Sequence, residues 1–181
     1  MKFSKVLFVL SIIFATSYYF LDRELFYYGK SNFTSYNLLP MNIIPDYPTS
    51  WGWRFTLRDT IGSNLTYSYP INKRNIFINK VLKYGFNNNQ VVAIVSDSSG
   101  VIYSLKLTPP SHIDYDINGT LYLGDKTNEF KYKWIFINGN DNYIQTLVLM
   151  RNLVMFVFII LMVVLLYKTF KLIKNNKLNS N

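Results

Sequence analysis

The stretch LVLMRNLVMFVFIILMVVLLY, from Leu147 to Tyr167, decides how this chain is organised. Only Arg151 and Asn152 interrupt its apolar residues, and residues 153–166 carry no charge and no helix breaker. A helix rises about 1.5 Å per residue, so about 20 residues cross the roughly 30 Å of bilayer hydrocarbon. We predict a transmembrane helix over residues 147–167, with the Arg151 guanidinium reaching the headgroups. The alternative is a buried core helix, but no other segment is suited to surround it.

A second apolar segment, VLFVLSIIFATSYYFL, covers residues 6–21 after a basic start at residues 1–5. Two interpretations stay open. A cleaved signal peptide fits the small residues Ala15 and Ser17 around a cleavage site, and cleavage there removes residues 1–17. An uncleaved anchor fits the bulky residues 18–20, which resemble an interfacial aromatic belt. We favour the anchor, and in both cases the residues that follow are exported.

The net charge of +9 is distributed unevenly. Lysines flank both apolar segments. Two precede residues 6–21, and four follow residues 147–167 in a basic tail predicted over 168–181: Lys2, Lys5, Lys168, Lys171, Lys174 and Lys177. All ten acidic residues lie within 22–141, where twelve basic residues nearly balance them. This is the positive-inside pattern, which predicts cell-membrane localisation with both termini cytoplasmic and the central domain outside. An anionic-lipid patch is the alternative function of these lysines. The nearly neutral central region argues against nucleic acid as a partner.

Composition limits the rest of the chain. The 181 residues are 50% apolar and 18% aromatic, enough for one domain of about 120 residues plus anchors. Charged residues are 16%, below the roughly 25% of soluble proteins. The absence of cysteine excludes disulfides, thiolate metal sites and cysteine nucleophiles.

The domain boundaries follow from prolines and from side-chain alternation. Residues 22–50 contain three prolines and no sustained period, so we predict an irregular linker. An exported β-rich domain is predicted over residues 51–142. Apolar side chains alternate over 53–57 and again over 65–69, which predicts two strands joined in a hairpin, the second ending at Pro70.

One covering helix is predicted over residues 73–84, with Asn72 as its N-cap and Gly85 after its end. Three apolar residues share a helical face at i, i+4 and i+7: Phe77, Val81 and Tyr84. The alternative is a strand, because residues 76–78 favour β-structure.

The following residues predict more strands. Residues 91–95 are wholly apolar, as in a central strand covered on both faces, and the turn at 96–100 leads to a returning strand over 101–107. Asn118-Gly119 predicts a tight hairpin between 113–117 and 120–123, and residues 130–137 predict the longest strand. The predicted fold class is α+β: a single membrane-anchored domain with a mainly antiparallel sheet and one covering helix, flanked by N- and C-terminal transmembrane segments.

One motif has the oxygen spacing of a calcium-binding loop. Its ligand candidates are Asp114, Asp116, Asn118 and Asp125, with Gly119 at the sharp turn. The twelfth-position ligand is an aspartate, and the flanking residues suggest strands instead of helices. We therefore favour a plain hairpin, and we predict no metal or cofactor.

Other signals of chemistry are weak. The single histidine, His112, has no nearby nucleophile, and the only glutamates, Glu24 and Glu129, show no cleft arrangement. Three glycosylation triplets begin at Asn32, Asn64 and Asn118, about the number expected in so asparagine-rich a chain. The aromatic residues, including Trp51, Trp53 and Trp134, suggest a packed sheet face; a ligand groove or stacking platform is the alternative.

The expected function is that of a non-enzymatic accessory subunit. The chain has two membrane segments and a domain held near the bilayer. The expected partners are therefore the lipid bilayer itself and a protein of a membrane or envelope complex. A ligand-binding or sensor module is the second hypothesis. It ranks lower because the cytoplasmic parts are too short for a signalling domain. A carboxylate-based enzyme is the third.

Overall fold

The computed structural model describes residues 2–36, 38–47, 54–71, 74–109, 117–125, 132–137, 139 and 141–178. It contains two long helices, α1 (Lys2–Phe26) and α2 (Asp141–Leu178). The chain divides into two compact units. One comprises Glu24–Ile144, and the other, here called the helix pair, combines the residues up to Arg23 with those from Gln145 onward.

Nine strands are present between the two helices in the described ranges. They are β1 (Ile44–Asp46), β2 (Thr56–Arg58), β3 (Ser68–Ile71), β4 (Arg74–Phe77), β5 (Lys80–Phe86), β6 (Val91–Ser96), β7 (Ile102–Thr108), β8 (Asn118–Leu123) and β9 (Lys133–Phe136). Five form an antiparallel sheet in the order β8-β7-β6-β5-β9, and β1–β2 and β3–β4 form separate antiparallel pairs. The α+β class and the antiparallel pairing are confirmed.

A layer of the core lies on one face of the five-stranded sheet. The strand register places five buried side chains in one row across it: Ile135, Tyr84, Ala93, Leu105 and Leu121. Residues Val91–Val95 of the central strand β6 are all buried, as their apolar sequence predicted. The predicted return after the turn at 96–100 is also present, since β6 pairs antiparallel with β7.

The segment before β1 and the strand β2 cover this core face. The ring of Phe55 stacks on Tyr84 at 5.6 Å, and the ring of Tyr27 stacks on Phe86 at 5.7 Å. The Tyr84 hydroxyl donates a hydrogen bond of 2.7 Å to the Tyr27 carbonyl oxygen. Residues 24–47, predicted as part of an irregular linker, therefore contribute the end of α1, a short 3₁₀ turn, strand β1 and part of the core.

The predicted covering helix over residues 73–84 is wrong. Residues 74–86 form β4 and β5, as the alternative interpretation of residues 76–78 had suggested. A β-bulge between Val81 and Lys83 shifts the side-chain alternation, so Val81 and Tyr84 both face the core although they are three residues apart. The bulge thus gives a strand the apolar spacing of a helix.

The predicted turn at Asn118-Gly119 is also wrong. Asn118 and Gly119 lie inside β8, paired with Thr108 and Leu107 of β7, instead of forming a hairpin turn. The ring of Tyr69 packs where a side chain of residue 119 would stand, so glycine serves a close approach there.

The predicted hairpin of residues 53–57 with 65–69 is reduced to one bridge between Arg58 and Asn64. Strand β2 pairs with β1 instead, and β3 pairs with β4. Strand β3 continues through Pro70, which pairs with Asn75, although Pro70 was predicted to end it. Proline is tolerated there because this strand belongs to a two-stranded ribbon with open edges.

Strand β9 covers four residues, and residues 126–131 lie outside the described ranges. Ile135 and, directly after the strand, Ile137 are buried, whereas Phe136 is exposed. In its described part this strand is shorter than β5 and β7, each seven residues long, and its aliphatic side chains are buried while Phe136 is not.

Both helices exceed their predicted lengths. Helix α1 runs without a break through residues 6–21 and on to Phe26. Helix α2 begins six residues before 147 and continues to Leu178, so most of the tail predicted at 168–181 is helical. Each contains a segment long and apolar enough to span a membrane, Lys5–Phe26 and Asp141–Lys171.

Candidate functional site

The calcium loop considered as the alternative to a plain hairpin is not formed by its described members. Asn118 begins strand β8 and Asp125 follows two residues after its end, so the strand, about 17 Å long, lies between them. The Asp125 carboxylate instead lies 3.6 Å from the Lys83 ammonium. Asp114 and Asp116 lie outside the described residues. A single cation cannot bridge oxygens so far apart, so Asn118 and Asp125 do not share one calcium site.

Lys83 lies in an aromatic environment on the face opposite the core. Its ammonium is 4.5 Å from the ring centre of Trp134 and 5.8 Å from that of Phe136. Together with Asp125, these rings hold a cation whose side chain is 13% exposed. The chemistry of this cluster is structural: it ties β5 to β9 and to Asp125, two residues after the end of β8.

Several other sequence candidates are separated or lie outside the described ranges. His112, Glu129, Trp51 and Trp53 are among the residues not described. Asn64 has a local role, because its side-chain oxygen accepts hydrogen bonds of 2.9 Å from the Thr66 amide and hydroxyl. Within the described ranges, no three acidic or histidine side chains are grouped to hold a metal ion.

The helix pair contains a buried ion pair that the sequence analysis did not predict. Arg151 Nη1 donates a hydrogen bond to Asp22 Oδ1 over 2.8 Å. The Asp22 side chain is fully buried and that of Arg151 is 9% exposed. A charge buried this deeply is costly unless it is paired, so the contact fixes the relative positions of the two helices.

The lysines at the far ends of the helices lie at matching distances from this ion pair. Seventeen residues separate Asp22 from Lys5, and seventeen separate Arg151 from Lys168. Each separation corresponds to about 25 Å of helix. This symmetry is the sequence signal that would have revealed the pairing.

Side-chain burial in both helices repeats with the spacing of a two-helix coiled coil. Leu7 and Ser11 of α1 are buried, whereas the neighbouring Val6 and Phe8 are 55% and 61% exposed. The less exposed positions follow alternating steps of four and three residues: Leu7, Ser11, Phe14, Tyr18 and Leu21 in α1, and Leu147, Arg151, Val154, Phe158, Leu161 and Leu165 in α2. One side of each helix is therefore covered along most of its length.

A cleft of about 660 Å³ lies at one end of the five-stranded sheet, between loops. Its most unusual element is the turn Pro40–Asn42, where Met41 and Asn42 have left-handed backbone angles, with φ of 60° and 54°. Such angles are strained for residues other than glycine. The flanking Leu39 and Ile43, 3% and 0% exposed, hold the turn in place by their burial.

Polar side chains from two further turns line the same cleft. The pairing of β1 with β2 brings Asp59 and Thr60 beside the strained turn, and the turn between β5 and β6 contributes Asn88 and Asn89. None of the described lining residues is basic, although the chain carries a net charge of +9. We call this site the amide cleft; its carboxamides suit hydroxyl groups better than anions.

Several titrating groups of the domain are shifted from their ordinary values. Burial raises the pKa of Tyr28 and of Tyr69 to about 12, and it raises the pKa of Tyr84 well above its usual value. A hydrogen bond from Ser99 lowers the pKa of Asp97, which also accepts from the Val101 amide in the turn after β6. Burial lowers the pKa of Lys30. None of these groups lines the amide cleft, so the shifts reflect packing and turn structure.

No protein-family model, curated protein or solved structure matches this chain.

Proposed function

We propose that the protein is anchored in a cell membrane by both helices, with its termini in the cytoplasm and residues 24–144 outside. The observation that carries this proposal is the geometry of the helix pair. A buried ion pair marks one level, and Lys5 and Lys168 mark another about 25 Å away, close to the hydrocarbon thickness of a bilayer. The side chains between these levels are almost all apolar.

The same contact favours α1 as a retained anchor. Cleavage after Ser17 would leave Asp22 a few residues from the new terminus and remove Leu7 and Ser11, which are covered in the helix pair. Helix α1 also continues without a break across this position. The intact mass of the purified protein should therefore correspond to the full 21.3 kDa chain. A mature terminus at Tyr18 would contradict a retained anchor.

Cysteine labelling tests the topology directly, because the chain has no cysteine of its own. Asn88→Cys places a thiol in the central domain, and Asn176→Cys places one beyond Lys171. A membrane-impermeant maleimide should label the first variant on intact cells and the second only after permeabilisation. The reverse pattern, or labelling of both on intact cells, would refute the proposed orientation.

Within this topology, the domain acts as a non-enzymatic accessory subunit that binds a protein partner in the membrane or envelope. Support comes from an exposed aromatic pair on the β3–β4 ribbon. The rings of Tyr67 and Phe77 are 5.7 Å apart, and the two residues are 61% and 57% exposed. Exposed aromatic residues commonly anchor protein interfaces.

Crosslinking in native membranes tests this role. The wild-type chain should give a discrete higher-mass product, which Tyr67→Ser/Phe77→Ser should weaken by at least about tenfold. Tyr122→Ser serves as the control, because Tyr122 is also exposed but lies on β8. Recovery of monomer alone from the wild-type membranes would count against a partner.

A ligand-binding module is the second candidate, and the amide cleft favours it. Three asparagines, one threonine and a single carboxylate suit a neutral, hydroxyl-rich ligand such as an oligosaccharide. Asn42→Gly removes one amide at a position where glycine relieves strain, so binding should fall while the domain stays folded.

The probes are maltohexaose and chitohexaose, measured by saturation-transfer NMR on the full chain in detergent. The variant Asn75→Ala, on the exposed ribbon strand β4, is the control. Absence of saturation transfer to both sugars, or transfer that Asn42→Gly leaves unchanged, would dismiss this candidate.

A further inference from the structure

The lysine-bearing ends of the two helices are strongly positive in sequence. Six lysines lie within residues 1–21 and 142–181, where the sequence has no acidic residue. The one arginine in these ranges, Arg151, is paired with Asp22 at the opposite level. The lysines of the helix pair are therefore all at one end, whereas its two arginines, Arg23 and Arg151, lie at the other.

Lysines of the two helices lie at equal distances along the helices from the Asp22–Arg151 ion pair. Lys5 and Lys168 lie seventeen residues from the ion pair, and Lys2 and Lys171 lie twenty. Lys5 and Lys171 are exposed. Two helices in contact are about 8–10 Å apart, so Lys5, Lys168 and Lys171 gather within the width of a few lipid headgroups.

Helix stability explains only part of this arrangement. Lysines in the last turns of α2 interact favourably with the negative end of its dipole, but Lys2 and Lys5 lie in the first turns of α1, which contain no acidic residue. A positive charge there is repelled by the positive N-terminal end of the helix dipole. Anions close to these lysines would offset that repulsion.

From these observations we propose that this end of the helix pair binds anionic phospholipid headgroups. The proposal rests on the membrane insertion proposed above and adds the lipid class. Lys5, Lys168 and Lys171 surround the phosphate of a bound headgroup, and the helix that carries Lys168 and Lys171 continues to Leu178. Each lysine near an anionic surface contributes roughly a fivefold gain in binding.

Native mass spectrometry of the full chain in detergent tests the proposal. The probes are phosphatidylglycerol and phosphatidylcholine with identical acyl chains. The wild-type protein should bind phosphatidylglycerol at least about tenfold more tightly. The variant Lys5→Gln/Lys168→Gln/Lys171→Gln should lose most of this preference, and replacement of the same lysines by arginine should retain it.

A charge-matched control removes the same net charge from the domain, in Arg74→Gln/Lys80→Gln/Lys106→Gln, and should keep the preference. Loss in this control as well, equal binding of both lipids by the wild type, or an unchanged preference in the helix variant would overturn the lipid site. Displacement of phosphatidylglycerol by inorganic phosphate would also overturn it, since a bare anion site would then suffice. The assay is independent of orientation, so its failure and a failure of the topology experiment are distinguishable.

Discussion

Arg151 Nη1 lies 2.8 Å from Asp22 Oδ1, joining two residues that are 129 positions apart in the chain. The two side chains are almost completely buried, so neither charge is exposed enough for water to replace its partner. Removing one partner leaves the other charge buried, which in proteins costs about 3–5 kcal/mol. The contact therefore predicts strong coupling between the two helices.

We expect Asp22→Asn and Arg151→Gln each to destabilise the helix pair by about 3 kcal/mol, and the double variant to be less than additive because no lone charge remains. Loss of helix during SDS titration in mixed micelles, followed by circular dichroism, measures the effect. Arg23→Gln is the matched control, because Arg23 is exposed on the same turn of α1. Strict additivity of the two substitutions would contradict a direct pair.

Gly119 predicts a steric effect in the sheet. Gly119→Ala places a methyl group in the ring of Tyr69, so the domain should lose about 1–3 kcal/mol of stability. Thermal melting of the full chain in detergent measures the loss. Tyr69→Ser removes the ring and should make the alanine tolerable, whereas Thr120→Ala on the same strand should have little effect. Equal melting temperatures for Gly119→Ala and the wild type would show that the ring moves aside freely.

The buried hydroxyl of Tyr84 predicts a second effect on stability. Tyr84→Phe leaves the Tyr27 carbonyl oxygen without this donor, which costs about 1–3 kcal/mol for a buried group. A lowered urea midpoint for loss of near-ultraviolet circular dichroism detects this change. The exposed Tyr122 provides the comparison, since Tyr122→Phe should change the free energy of unfolding by less than about 0.5 kcal/mol.

Tyr69 predicts sensitivity to alkaline pH. Its pKa in the folded chain is raised to about 12 by burial, above the ordinary value of about 10, so the folded state favours the neutral phenol. This contribution to stability is complete below pH 10 and is lost as the pH rises from about 10 to 12. The melting temperature should fall across that interval, and Tyr69→Phe should make the fall shallower. A slope identical in wild type and variant would assign the loss to other tyrosines.

Local sequence patterns predicted the parts of the fold that depend on local chemistry. Residues 91–95 are apolar throughout and their strand is covered on both faces, and the turn with Asp97 and Gly100 joins β6 to β7. The apolar segments at 6–21 and 147–167 are helical, as their length and composition indicated.

The errors arose where distant contacts determine the conformation. The bulge near Val81 imitates a helical period, and Tyr69, fifty residues away, keeps Gly119 in a strand. The strained turn at Met41 depends on the burial of its neighbours, and the partner of Arg151 lies near the other end of the chain. None of these contacts leaves a signal within a window of a few residues.

The equal distances from Asp22 to Lys5 and from Arg151 to Lys168 affect which membranes suit the helix pair. In the proposed topology both apolar segments measure about 25 Å from ion pair to lysine, shorter than an average hydrocarbon layer. Because Asp22 and Arg151 tie the two segments together, one helix cannot tilt or slide alone to correct a mismatch. The pair must therefore thin the surrounding lipid or extend its lysines as a unit, which favours residence in thin bilayers and local sorting away from thick ones.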